Sequence, residues 1–581
     1  MVHVSIMPCI NKRKFKNFYQ SVTMKYSDCG NKPDEELCCL SRIIVNLFSN
    51  QTKTFTKLRV PPLPTECMQQ ILQHIADQGV GSLYPCLLVN RFWCNNVIPF
   101  LWARPFEGQL PPENRYKFML IYLASLTTQE KTTLNNYLMP YNISIPDLDR
   151  PLYNYPMFLE EFSYKNVETA VYSCICRWNT EEFVARNRED QILVLASTLC
   201  QLFMRNSTSL KTFIIDKFLN HSDLPDCFIF NSGQPGLRNI SNLSIDCTKP
   251  MMENTIRLLE LIPSLCKKIR CLEVKILFFE NNTDIIQAII KIIRAQESLT
   301  EFNLDGVRSG ESSDIIQALQ CQSLTITTIK FENVDFTADS LRSLAVCRQL
   351  RNLSLLYYRG LTMESSSTSS SGEGRGTGSI WSQIKFDLRK LRLKNSTKSP
   401  LISAALIRAA GEHLTCLSYD VITRETIEAT TLYCPNITEL ELLDYLPHHN
   451  SLVYLLFRGL HQIKRLTISV YHNNSNRYMI ISGRELPTTL EYLKLQCGLT
   501  SIQLEDLLKD CMAPLKVLIL DFIKFEHSDL KVITKFVKAR RTLRYLGISG
   551  RIAWNVRETN ELEALKKRGV ILIPWYEIEK W

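Results

Sequence analysis

Cys434-Pro435-Asn436-Ile437-Thr438-Glu439-Leu440-Glu441-Leu442 carries in its last six residues an apolar residue, two of any kind, a second apolar residue, one of any kind and a third: Ile437, Leu440 and Leu442. One such stretch says little, because any half-buried strand with alternating sides produces it. Its recurrence decides the fold. The same pattern centres on Leu243, Leu272, Phe302, Ile329, Leu353, Leu391, Leu417, Leu440, Leu466, Leu493, Leu518 and Leu546, with steps of 29, 30, 27, 24, 38, 26, 23, 26, 27, 25 and 28 residues. Leu210, Phe213 and Ile215 fit as a degenerate first copy. Between copies the sequence turns helical, as in Asp284-Ile285-Ile286-Gln287-Ala288-Ile289-Ile290.

A mean step of about 27 residues falls in the leucine-rich-repeat range. A unit of one short strand and one helix cannot bury its apolar face alone, so units stack and share a continuous core. The expected fold class is an α/β repeat solenoid: a leucine-rich-repeat horseshoe with a parallel concave sheet and helices on the convex side. The step of 38 contains Met363 to Ser379, a Ser/Gly tract that cannot build a core and reads as a flexible loop. It lacks the Gly-Lys-Ser/Thr of a phosphate-binding loop. Cys347 and Cys434 precede two of the strands and read as small buried spacers. The Cys434-Pro435-Asn436 start resembles the cysteine-containing leucine-rich repeats. Near the end, Leu565 to Ile573 reads as a helix, a Gly569 stop and a last strand, closed by Pro574-Trp575-Tyr576; we read residues 560–581 as a cap over the last repeat's open edge.

Residues 58–106 have a different texture. Thr65 caps a short helix on which Met68, Ile71, Leu72 and Ile75 make one apolar stripe, and Asp77-Gln78-Gly79-Val80-Gly81 ends it. Two further apolar segments follow, Leu83 to Trp93 and Val97 to Trp102, so a small all-α unit of three short helices is expected. Leu63-Pro64-Thr65-Glu66, Val89-Asn90-Arg91-Phe92-Trp93 and Leu101-Trp102 stand in the order and separation of an F-box, which this segment resembles over about 45 residues. Asn90 stands where that pattern usually has Cys. The resemblance implies docking onto the adaptor subunit of a cullin–RING ubiquitin ligase, with Leu63, Pro64, Ile71, Leu72, Val89 and Trp93 as contact or supporting positions. Val89 and Trp93 read equally well as the unit's own core.

The order F-box, helical bridge (residues 107–205), solenoid (206–581) resembles F-box/leucine-rich-repeat proteins over nearly the whole chain. The implied function is that of the substrate-recognition subunit of an SCF-type E3 ubiquitin ligase, its repeats holding a protein target for ubiquitination. The alternative is a ligase-independent interaction scaffold. Implied partners are the SCF adaptor, cullin through it, and an unidentified protein substrate, in the cytoplasm, the nucleus or both.

Composition narrows the field. The 581 residues exceed what one hydrophobic core organises, so several domains or a repeat array are required. The formal charge of +10 invites nucleic acid as a partner, but residues 1–60 hold ten Lys/Arg against four Asp/Glu, leaving 58 against 54 for the rest. Residues 1–57, with Asn11-Lys12-Arg13-Lys14-Phe15-Lys16, therefore read as a basic flexible leader. No run of 18 apolar residues suggests a membrane span, and neither membrane nor nucleic acid is an expected partner. The 20 Cys include no C-x-x-C, which speaks for reduced thiols and against zinc. No H-E-x-x-H, G-x-S-x-G or P-loop occurs. His448 and His449 are adjacent in a loop and poorly placed to share a metal. The chain reads as a non-enzyme without cofactor or metal. What remains is the sheet face: strand positions between the apolar ones alternate outward. Lys330, Glu332, Arg392, Lys394, Asp420, Glu441 and Lys494 are the candidate target contacts on it. Its mixed signs suit a protein better than a phosphate backbone.

Overall fold

The computed structural model describes residues 64–573 and Ile578, apart from 78, 107–111, 142, 144, 147, 179–187, 218–222, 232–235, 249–252, 277–282, 308, 362–380, 382–383, 396–398, 471–480, 498, 522–524, 526 and 550–555. The leader, Leu63 and the Ser/Gly tract lie outside the described residues. The chain divides into two units, Met1–Cys266 and Lys267–Trp581.

The first unit opens with α1 (Thr65–Asp77), a 3-10 segment (Val80–Leu88) and α2 (Arg91–Trp102). The two apolar segments expected as Leu83–Trp93 and Val97–Trp102 are divided elsewhere. Pro85 sits inside the 3-10 turns, and Asn90 breaks the chain in an extended conformation. Its side-chain Oδ1 accepts from the Trp93 N–H at 3.0 Å, so Trp93 belongs to the next helix. Met68, Leu72, Leu83, Cys86, Trp93 and Val97 close into one small core. Then come α3 (Pro112–Ala124), α4 (Thr128–Leu138), β1 (Glu161–Ser163), α5 (Tyr164–Trp178), α6 (Arg188–Asn206), β2 (Thr212–Ile215), β3 (Asn242–Cys247) and α7 (Glu253–Leu265). A Thr127–Glu130 capping box starts α4.

The parallel sheet therefore begins inside the segment read as a helical bridge. β1 pairs with β2 and β2 with β3, which aligns Phe162, Phe213 and Leu243 in one row. The Phe162 and Phe213 rings stack with centroids 5.2 Å apart. Leu159, Phe162 and Tyr164 carry the repeat pattern, but β1 has three residues and two helices separate it from β2.

The second unit alternates strands and helices: β4 (Cys271–Ile276), α8 (Thr283–Ala295), β5 (Glu301–Val307), α9 (Ser309–Leu319), β6 (Thr328–Val334), α10 (Ala338–Ala345), β7 (Asn352–Tyr358), β8 (Lys390–Asn395), α11 (Pro400–Ala410), β9 (Cys416–Tyr419), α12 (Arg424–Tyr433) and β10 (Glu439–Leu442). It continues with α13 (Asn450–Gly459), β11 (Arg465–Ser469), β12 (Tyr492–Gln496), α14 (Ser501–Lys509), β13 (Val517–Leu520), α15 (His527–Arg540), β14 (Tyr545–Ile548), α16 (Val556–Lys566) and β15 (Ile571–Ile573). Each strand pairs in parallel with the next in chain order. The fold class is the expected one, an α/β repeat solenoid.

Register places Leu272, Phe302, Ile329, Leu353, Leu391, Leu417, Leu440, Leu466, Leu493, Leu518 and Leu546 in one row that ends at Leu572. All but Leu572 are buried, and the residues on either side of them point to the other face. At the start of each strand from β5 to β14 one carbonyl of the preceding repeat serves two N–H groups. The Thr300 carbonyl accepts from Thr327 and Thr328 at 2.9 and 3.1 Å, and the Thr327 carbonyl from Arg351 and Asn352 at 2.9 and 3.0 Å. A second ladder precedes the strands. Gln322 Nε2 donates to the Ile293 and Gln296 carbonyls at 3.0 and 2.8 Å, and its Oε1 accepts from the Leu299 N–H at 3.3 Å. Cys434 stands at the corresponding place, its thiol donating to the Ile407 carbonyl at 3.5 Å, and Cys347 is buried there too.

Four residues after the row, several strands turn left-handed: Gly306 (φ 84°), Asn333 (53°), Tyr357 (53°) and Asp444 (52°). Asn333 Nδ2 donates to Asp305 Oδ1 across β5 and β6 at 2.8 Å. At Gly306 a Cβ would stand 1.9 Å from the Ile276 carbonyl oxygen, so glycine is required twice over, by φ and by space. Gly306→Ala should cost at least about 2 kcal/mol in denaturant unfolding. Asn333→Gly, at the matching position without that collision, should stay within about 1 kcal/mol of the wild type.

Candidate functional site: exposed apolar side chains and an open sheet face

In the helical module the apolar stripe divides. Met68 and Leu72, one helical turn apart, point into the core, whereas Ile71 is 40% exposed and Pro64 is also exposed. In the 3-10 segment the period is three, which puts Leu83 and Cys86 inside, with Val89, just beyond it, half-buried against them. The same period turns Tyr84 and Leu88 outward, and Val80 is exposed as well. On α2, Trp93 is 7% exposed and Phe92 39%. Of the expected contact residues, Leu72 and Trp93 are thus core, Val89 is intermediate, Pro64 and Ile71 are accessible, and Leu63 lies outside the described residues. Tyr84, Leu88 and Phe92 were not among those expected. Pro85 was the signal that could have found them, because it favours a tight turn over an α-helical period.

The open face of the second unit carries the other candidates. Lys330 is exposed and pairs with Glu332 on the same strand, Nζ to Oε2 at 2.8 Å. Arg392, Ser418 and Glu441 are aligned across β8, β9 and β10. Arg392 Nη2 lies 3.7 Å from Glu441 Oε1, and the Ser418 hydroxyl between them donates to Glu441 Oε2 at 2.6 Å. The Arg392 Nε is buried and has no hydrogen-bond partner among the described residues. Lys394 Nζ sits 4.6 Å from the centroid of the ring of Tyr357, one of the left-handed residues. Lys494 makes no ion pair among the described residues and is half-buried. Asp420 is 9% exposed and so is a poor surface contact.

Among the described residues no group of His, Cys, Asp and Glu is placed to hold a metal ion, and no helix is long and apolar enough to cross a membrane. Burial pushes the thiol pKa of Cys434, Cys497 and Cys266 up to about 12 and that of Cys347 to about 11. These thiols are protonated at neutral pH and are not nucleophiles.

No family model matches the chain, and no curated protein does. A solved structure described as the crystal structure of the Rad7 and Elc1 complex in yeast is similar over 77% of this chain and 92% of that chain, at 13% identity and a TM-score of 0.37.

Unfolded thiols ionise near about pH 8.5, whereas these buried ones stay neutral until about 11 to 12. Above pH 8.5 the folded state therefore holds more protons than the unfolded one, and its stability falls as pH rises. Unfolding midpoints measured from pH 7 to 10.5 should be level to about pH 8 and then decline. In native protein a thiol reagent should label the exposed Cys67, Cys176 and Cys321 before Cys347 or Cys434.

Proposed function

We propose that this chain is the substrate-recognition subunit of an SCF-type ubiquitin ligase. The helical module docks the adaptor, and the repeat sheet holds a protein to be ubiquitinated. The observation that carries this reading is the outward set Pro64, Ile71, Tyr84, Leu88 and Phe92 on a module whose interior is already filled by Met68, Leu72 and Trp93. A small soluble unit seldom leaves that many large apolar side chains outside unless a partner covers them. The motif order in the same segment names the kind of partner.

In this role the chain performs no chemistry. It converts an encounter between target and ubiquitin-conjugating enzyme into a tethered one, raising their effective concentration. Arg392 suits target binding on the sheet, because its side chain is 39% exposed and its 3.7 Å approach to Glu441 leaves the guanidinium able to meet a partner's carboxylate. The setting is the cytoplasm or nucleus, where the rest of such a ligase resides.

Co-purification of the full chain with the adaptor and cullin tests the first half. Ile71→Asp together with Phe92→Asp should weaken adaptor binding at least about tenfold with little change in melting temperature, since both side chains are exposed. Trp93→Ala should lose binding and stability together. An adaptor that fails to bind the wild-type chain would falsify the reading. Proximity labelling with the proteasome blocked tests the second half: Arg392→Glu should deplete the set of captured proteins.

A further inference from the structure

The open face of the second unit changes character along its length. Over β8 to β12 the positions flanking the buried row include Arg392, Glu439, Glu441, Arg465 and Lys494. Further on, the corresponding positions become apolar in two aligned rows. Tyr492, Val517 and Tyr545 face one another across β12, β13 and β14, and Ile519, Gly547 and Ile573 do so across β13, β14 and β15. Tyr492, Val517, Ile519 and Ile573 are buried although they lie on the face that is open elsewhere. What covers them includes Ile578, itself 3% exposed, from the segment after β15. Gly547 makes room: a Cβ there would stand 3.2 Å from Ile519 Cγ1 and 3.4 Å from Ile578 Cγ1. Ile578 thus rests on the sheet face.

The rim of this patch on the β11–β12 side holds Arg465, 3.7 Å from Glu439, and Lys494, which has no ion pair among the described residues. The Arg465 guanidinium lies 3.8 Å above the Tyr492 ring, and Lys494 is in register with Ile519. In the sequence, Ile578 stands between Glu577 and Glu579. An aliphatic anchor flanked by acids matches an apolar floor with Lys494 at its rim.

We propose that the apolar end of the sheet is a groove for a protein segment in which an aliphatic residue is flanked by acidic ones, and that Ile578 of the chain's own tail keeps it closed until such a segment displaces it. The proposal rests on the reading of the sheet as the target-binding surface and names the target's chemistry. A tethered tail competes at roughly millimolar effective concentration, so a target must either present its segment at high local concentration or bind more tightly than the tail. Loose encounters are thereby rejected.

The test uses a fluorescent synthetic peptide of residues 574–581 and the full chain. Ile578→Asp should open the groove, so that the peptide binds this variant at least about tenfold more tightly than the wild type. Ile578→Ala gives the same readout with a smaller change, should the aspartate variant fail to fold. Lys494→Glu in the opened background should weaken the peptide about threefold or more. Equal binding to wild type and to both Ile578 variants, or binding to none of them while they melt cooperatively, overturns the proposal. Adaptor binding of the same variants separates the two claims. If it is intact and peptide binding fails, the closed groove is wrong and the ligase reading stands. If adaptor binding is absent and the peptide still binds Ile578→Asp, the groove stands and the ligase reading is wrong.

Discussion

The row that runs from Leu272 through Phe302, Ile329 and Leu353 to Leu546 is the constraint on which the second unit depends. No single repeat can bury its own apolar face, so each strand takes its core neighbours from the repeats before and after it. Because side chains alternate with a period of two, fixing this row also fixes what looks the other way. A slip of one residue in β8 would carry Arg392 and Lys394 into the core and Leu391 and Leu393 out of it. The face that presents Arg392 beside Glu441 is therefore a by-product of the packing that makes the chain fold. Backbone groups reinforce the same register, with one carbonyl serving two N–H groups at the strand starts from β5 to β14 and, in some repeats, a buried thiol or amide bridging to the preceding repeat.

This much was legible from residue spacing, because twelve centres in phase leave no competing period. Cys347 and Cys434 also behave as the sequence suggests: both are buried, and the Cys434 thiol donates to the Ile407 carbonyl. Three features were not legible. β1 was hidden by its brevity and by the two helices that follow it, although Phe162 is aligned with Phe213. The division of the helical module turned on Asn90 capping α2 and on Pro85 imposing 3-10 turns, both local choices that a stripe of apolar residues does not record. The apolar end of the open face was hidden because Ile519 and Gly547 read as two of many outward positions, and only the fold brings Ile578 onto them.

The candidate sites follow the same division of labour. In the helical module, packing consumes Met68, Leu72 and Trp93 and leaves Ile71, Tyr84, Leu88 and Phe92 outside, so two of the six residues that motif reasoning singled out, Leu72 and Trp93, are buried in the module's own core. On the sheet, ion pairs within the face already engage Lys330 and Arg392 to different degrees. The Lys330–Glu332 pair is close, at 2.8 Å, whereas Arg392 and Glu441 stand 3.7 Å apart. An exposed pair contributes little to stability and is free to be exchanged for a partner's charge. The proposed role needs both surfaces: one apolar, for a constant partner, and one polar with an apolar end, for a selected one.

Hydrogen–deuterium exchange of the full chain with and without the adaptor subunit tests this account most directly. The account predicts slowed exchange within residues 64–102, at Ile71, Tyr84, Leu88 and Phe92 above all, and unchanged exchange in β4 to β15. Slowed exchange on the sheet with none in residues 64–102, or no complex at all, would contradict it.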